Sequence, residues 1–219
     1  MTRLTIFSLD TVVRYSETNL RKLLFQLISE REEISLETDP APEIRNFQVL
    51  LNHIYQKEIK KELGEELLHT YHKAFKKAVK KNYLDDEDAF EVRPGVQSLF
   101  GQMEKEKKWK FGITSDLWED ATQFLLQSCG VFSKDKLTIC AETAPDRNAQ
   151  MEILASRAQK KDQGLKIFVV CLNGEKPELS KEFKVIRPKA SDKESNYYVY
   201  PKFNELFKLK KKNKKSRSK

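Results

Sequence analysis

Two short stretches carry side chains whose types and spacing could do chemistry: "LTIFSLDTVV" at residues 4–13 and "FGITSDLWED" at 111–120. In the first, Ser8 and Asp10 follow an apolar, β-branched run and stand two apart, so on a strand their side chains start on one face. A serine hydroxyl becomes a nucleophile only beside a base, and a carboxylate alone is a poor one. The imidazoles, His53, His69 and His72, fall elsewhere, in a stretch of helical pattern. In the second, Thr114, Ser115 and Asp116 set two hydroxyls and an acid directly after another apolar run. A third stretch, Cys171–Glu175, ends the run "LKIFVVCL" and offers Glu175, with Glu178 a little further on.

The surrounding pattern predicts how these groups are held. Residues 3–9 and 11–13 read as strand buried on both faces. Leu20, Leu23, Leu24, Leu27 and Ile28 then recur at the spacing of one apolar helix face. "REEISLETDPAPE" reads as a loop. A second helix is expected over about 43–61, with Phe47, Leu50, Leu51, Ile54 and Tyr55 inward, and a third after Gly64, with Leu67, Leu68, Tyr71, Phe75 and Val79 inward. Beyond residue 88 strands and helices alternate. A helix starts near Pro94; "WKFGITS", "KLTICAE", "LKIFVVCL", "FKVIRP" and "YYVY" read as strands. Such alternation predicts an α/β fold, a Rossmann-like parallel sheet covered by helices on both faces, interrupted by an all-helical insert. The expected organisation is a core of residues 1–14 and 89–207, a helical cap at 15–88, and a disordered basic tail at 208–219. Ligands of such sheets bind beyond the carboxyl ends of the strands, where Ser8–Thr11, Thr114–Asp116 and Cys171–Glu175 lie.

The net charge of +8 invites a nucleic-acid reading, and its location refines it. The tail "KLKKKNKKSRSK" holds eight of the 41 Lys and Arg and no acid, so the remaining residues are formally neutral, with 33 of each sign. The tail could meet RNA, DNA or an anionic membrane surface through phosphates, weakly and with strong salt dependence. "KKAVKK" and "KEKKWK" read as solvated helix faces. Cys129, Cys140 and Cys171 lie in apolar surroundings and read as reduced core residues. No apolar run reaches the length of a membrane span, and "MTRLTIFSLD" lacks a signal-peptide pattern, which predicts a cytoplasmic protein. His69 and His72 read as surface histidines and Trp109 and Trp118 as buried core. Read for structure alone, Ser8 closes a strand and Asp10 accepts backbone N–H groups of the turn toward the cap.

"IFSLDTVV", "VRPGVQSLF" at the return from the insert, "FGITSDLWEDATQFLLQSCGV" and "YYVYPKFNELFKL", in that order, resemble the haloacid dehalogenase-like superfamily, in its branch with a helical cap after the first strand. The resemblance spans about residues 3–207. It implies phosphoryl transfer by an aspartate nucleophile that also binds Mg²⁺, an acid/base aspartate two residues on, a phosphate-binding hydroxyl, a lysine, and a metal-binding acid after a later strand. Charge spreads over the phosphoryl oxygens in the transition state, so placed cations and donors do most of the work.

Carried onto this chain, the nucleophile position is Ser8 and the acid/base position Asp10, with Thr11 at the threonine position. Thr114 or Ser115 takes the phosphate-binding place and Asp116 a neighbouring one. Ala144 stands where the lysine would be, and Cys171–Leu172 where the metal-binding acid would be. Rescue would call on Glu175 or Glu178 as metal ligand beside Asp10, and on Lys134, Lys136 or Lys189 as cation. The expected reading is a pseudoenzyme, a phosphatase-like fold kept as a binding or regulatory module with no cofactor. The alternative is a Mg²⁺-dependent hydrolase of a small phosphomonoester with rearranged ligands.

Overall fold

The computed structural model describes residues 2–36, 38–131, 137–160, 162, 164–172, 177–179, 182–190, 198–200 and 202–207. In chain order the elements are β1 (Arg3–Ser8), α1 (Leu9–Val12), β2 (Val13–Tyr15), α2 (Glu17–Glu32), α3 (Phe47–Ile54), α4 (Glu65–Asp85), β3 (Phe90–Val92), α5 (Val96–Lys105), β4 (Trp109–Thr114), α6 (Glu119–Ser128), β5 (Leu137–Ile139), α7 (Arg147–Gln159), β6 (Lys166–Val170), β7 (Phe183–Ile186), β8 (Lys189–Ala190), β9 (Tyr198–Val199) and α8 (Phe203–Leu206). A π-helical turn, Tyr55–Ile59, continues α3.

Five strands form one parallel sheet in the order β5-β4-β1-β6-β7. β1 is central, and its alternation decides which residues face which layer. Leu4 and Ile6 pack with Ile139, Met151, Leu154 and Val169 under α7. Phe7 packs on the opposite side with Phe100, Ile113 and Val170, in the cluster that runs on into the helical insert. Gly112 of β4 lets α7 approach, because a Cβ there would lie 2.6 Å from Leu154 Cδ1. Gly95 precedes α5 at φ +87°, and a Cβ would meet the Tyr200 carbonyl oxygen at 2.5 Å. That close approach seats Tyr200, whose N–H donates to the Pro94 carbonyl at 2.9 Å.

The insert is helical, as the periodicity predicts, and Tyr71, Phe75 and Val79 form its buried stripe. Tyr55 donates to Glu32 at 2.7 Å and lies 2.9 Å from the Tyr71 hydroxyl, tying α2 to the π turn and α4. Arg21 is buried and grips the proline-bearing loop, with two bonds to Asp39 at 2.5 and 2.6 Å and others to the Ile44 and Ala41 carbonyls.

Four local expectations are corrected. The second helix starts at Phe47 rather than near 43, because Asn46 caps it by accepting from Gln48 and Val49 N–H. Residues 9–12 leave the sheet in a helical turn. Val13–Tyr15 then pairs antiparallel with Phe90–Val92, making a two-stranded ribbon at the root of the insert. Tyr198–Val199 joins no parallel sheet and pairs antiparallel with Lys189–Ala190. Cys129, Cys140 and Cys171 are buried, and none of them is in a disulfide. Among the described residues no helix is long and apolar enough to cross a membrane.

Candidate functional site

The carboxyl ends of β1 and β4 meet with Ser8 opposite Thr114. Ser8 is 1% exposed, and its hydroxyl donates to Asp10 Oδ1 at 2.5 Å. The two side chains do meet, but through the helical turn of α1 rather than by strand alternation. Thr11 points back and donates to the Ser8 carbonyl at 2.6 Å. Both hydroxyls therefore close the end of β1 on itself.

Asp10 is the hub. Its Oδ2 accepts from Arg147 Nη2 at 3.1 Å, and the same nitrogen donates to Asp116 Oδ2 at 2.7 Å. Its backbone carbonyl accepts from Arg93 Nε at 2.6 Å. The carboxylate is thus held by side chains, not by the backbone N–H groups of the turn. Asp116 is fixed a second way, since its carbonyl accepts from Phe47 N–H at 2.9 Å and so touches the start of α3. One guanidinium lies between two acids, with side-chain exposures of 18% for Arg147, 24% for Asp10 and 11% for Asp116.

Arg147 is the first residue of α7, set by the Asp146 cap that accepts from Ala149 N–H at 2.9 Å. The sequence reading passed it over, although it stands three residues after Ala144 in "ETAPDRN". Tyr15, at the end of β2, was also missed. Burial first, and then the negative charges of Asp10 and Asp116, push its phenol well above the ordinary range. Its only sequence signal was its position after "TVVR".

The remaining expected residues are turned inward. Ser115 is 2% exposed, and its hydroxyl is engaged by Leu117 N–H at 3.1 Å and the Thr122 hydroxyl at 2.7 Å. Thr114 is buried, with Oγ1 3.5 Å from the Phe7 carbonyl. Ala144 is buried and accepts from Asn46 Nδ2 at 2.8 Å through its carbonyl, which staples this loop to the insert. Cys171 is buried at the end of β6. Glu178 is exposed, and its N–H donates to Asn148 Oδ1 at 3.2 Å. Glu175, Lys134, Lys136, the Lys189 side chain and the 208–219 tail lie outside the described residues.

His69 is exposed as expected, whereas His72 is half-buried. Its ring lies 4.6 Å from Trp118, and its Nε2 is 3.2 Å from Gln48 Oε1, which also accepts from Trp118 Nε1 at 2.9 Å. Burial, then the neighbouring His69, hold its imidazole below the ordinary value. A cavity of about 400 Å³ opens between the insert and the core, lined by Arg45, Asn46, Asp116, Arg147 and Asn148 among others. It reaches the outer side of the carboxylate pair and does not include Ser8 or Asp10.

The resemblance implies Mg²⁺, and the described residues do not fit it. Mg²⁺ needs near-octahedral oxygen ligands at close range. Here Asp10 and Asp116 share a guanidinium, the Asp10 carbonyl is taken by Arg93, and position 8 supplies a neutral hydroxyl. Among the described residues no three His, Cys, Asp or Glu side chains converge.

No family model and no curated protein matches the chain. Solved structures do. A hydrolase from Pseudomonas syringae is 16% identical with a TM-score of 0.53, over 78% of this chain and 76% of that one. A predicted phosphoglycolate phosphatase from Haemophilus somnus is 14% identical with a TM-score of 0.53, over 95% and 97%. CbbY from Rhodobacter sphaeroides, in complex with phosphate, is 14% identical with a TM-score of 0.54, over 85% and 94%. The chain shares its fold with these three proteins, and at these identities the likeness speaks for the fold alone.

Proposed function

We propose that this chain is a haloacid dehalogenase-like protein of the helical-cap branch that performs no aspartyl-phosphate chemistry and works as a binding or regulatory module. One observation carries the reading: Arg147 Nη2 lies between Asp10 and Asp116, 3.1 Å from one carboxylate and 2.7 Å from the other. A divalent ion entering there would have to displace a cation that already pairs with both acids and cancels one of their two charges. It would gain little, since a neutral hydroxyl stands at position 8.

Nucleophilic attack by Ser8 is equally unsupported. Its hydroxyl is buried and donates to a carboxylate, and a carboxylate alone is a poor base for a serine. His72, the imidazole whose surroundings reach the core, is engaged with Trp118 and Gln48. Removing one transition-state donor typically costs about a hundredfold to a thousandfold in rate, and here the nucleophile, the lysine and the metal-binding acid positions are all changed together.

A binding role leaves the 400 Å³ cavity between insert and core as the opening through which a small phosphorylated ligand would meet Arg147. The test is a panel of phosphomonoesters incubated with the full chain and Mg²⁺. The expected result is no turnover above that of an Asp10→Asn variant. Turnover that this substitution abolishes would restore the alternative, a Mg²⁺-dependent hydrolase with rearranged ligands.

A further inference from the structure

A second concavity lies away from Ser8. It has a volume of about 590 Å³ and reaches from the amino-terminal ends of β1 and β6, across β7, to the end of α8. Its charged lining is Arg3, Lys166, Lys184 and Arg187, with no Asp or Glu among the described residues, and its apolar wall includes Phe168 and Phe207. The nearby acids Glu182 and Glu205 do not line it.

Strand register explains the grouping. Arg3 stands opposite Lys166, and Phe168 opposite Lys184, in parallel pairs. Residues paired this way share a face, so three neighbouring strands place their cations on one side of the sheet. Lys166, Lys184 and Arg187 are exposed, while Phe168 and Phe207 are each 8% exposed and make a sunken floor. The Arg3 guanidinium lies 5.1 Å over the Trp109 ring, which holds it in place at the rim.

Some exposed cations elsewhere have acidic partners, as in Arg14–Glu91, Lys61–Glu32 and Lys76–Asp120. Lys166 and Lys184 have no carboxylate partner among the described residues. Like charges gathered in one hollow repel one another, and an anion relieves that repulsion. The sequence adds an independent observation: the acid-free run 208–219, with eight Lys and Arg, begins at the residue after Phe207, which lines the same hollow.

We propose that this concavity binds the phosphodiester backbone of a single-stranded nucleic acid. Cations spread over three strands, followed along the sequence by a basic run, match a chain of regularly spaced phosphates better than one isolated phosphate. A bilayer is gripped by protruding apolar side chains, and here the aromatic rings are recessed. No aromatic ring stands free on the floor for base stacking, so the binding is sequence-tolerant and salt-sensitive.

The test measures fluorescence anisotropy of a short labelled single-stranded RNA, and of its DNA counterpart, with the full-length chain over a range of salt. Lys166→Gln/Lys184→Gln should weaken binding and flatten the slope of log K against log salt by about 1.4, from roughly 0.7 per lost phosphate contact. Both lysines are exposed, so the fold should survive, and a circular dichroism spectrum checks it. Replacing Lys210, Lys211 and Lys212 by glutamine should weaken binding separately, with the effect of the first pair persisting in that background. RNA bound in preference to DNA, or the reverse, assigns the sugar and supports the site. Parental affinity in the Lys166/Lys184 variant overturns the proposal. So does binding to anionic vesicles without binding to either oligonucleotide.

Discussion

Arg147→Ala is expected to lower the unfolding free energy by about 2–4 kcal/mol, the range for breaking a buried ion pair reduced for partial exposure. The substitution removes the cation shared by Asp10 and Asp116 and leaves two carboxylates facing each other. It also removes the positive charge that offsets the effect of Asp10 and Asp116 on the half-buried Tyr15 phenol. For a chain of this size the melting temperature should fall by roughly 2–4 °C per kcal/mol. Two companions isolate the cause. Arg147→Lys keeps the charge but not the planar fork, and should recover only part of the loss. Adding Asp116→Asn to Arg147→Ala should make the protein more stable than Arg147→Ala alone, because one of the two repelling charges is gone. Urea melts followed by tryptophan fluorescence read all three. Equal stability of Arg147→Ala and the parent would mean that the bridge contributes nothing to the site.

A loss of similar or greater size is expected at the seam between insert and core. Trp118 is 1% exposed and comes from the core, just before α6. Its ring centroid lies 6.2 Å from Phe47, 5.2 Å from Phe75 and 4.6 Å from His72, all residues of the insert. Truncating a buried tryptophan to alanine typically costs about 3–5 kcal/mol through lost contact and a residual cavity. Trp118→Phe keeps most of the apolar contact and loses the bond to Gln48, so its cost should be about 1 kcal/mol. Thermal melts should therefore rank parent, Trp118→Phe and Trp118→Ala in that order. A small effect of the alanine variant would show that the insert is held elsewhere.

Much of this architecture was legible because burial writes simple patterns. "LTIFSL" and "KIFVV" read as strands buried on both faces, and that is where β1 and β6 lie, side by side in the sheet. Tyr71, Phe75 and Val79 fell at helical spacing and form the inner stripe of α4. Trp118 was expected to be buried, and it is. What escaped depends on partners distant along the chain. "DTVV" has the β-branched character of a strand, yet the chain turns helical there. The carbonyls of Asp10 and Thr11 are held by Arg93 and by the Tyr200 hydroxyl, at 2.6 and 2.7 Å, and no local pattern announces either. Burial pushes the Tyr200 phenol up as it makes that bond.

The site shows the same division. Ser8, Asp10 and Asp116 stand out in the sequence by their positions after apolar runs, and the fold brings their side chains together with Arg147, whereas Ser115 is turned inward. Arg147 does not stand out, since an arginine in the first turn of a helix opposes the helix dipole and reads as a solvated charge. Only the fold shows that its side chain reaches two acids from different strand ends. Ala144, where the resemblance would put a lysine, was visible in the sequence, while the cation three residues later was not.

The most direct test of the closed site is a calorimetric titration of Mg²⁺ into the full chain, into Arg147→Ala and into Asp10→Asn. The parent and Asp10→Asn should take up no Mg²⁺ in the millimolar range, while Arg147→Ala, with its acids freed, should gain weak binding. Stoichiometric uptake by the parent that disappears in Asp10→Asn would contradict this outright, showing that the guanidinium yields to a metal ion.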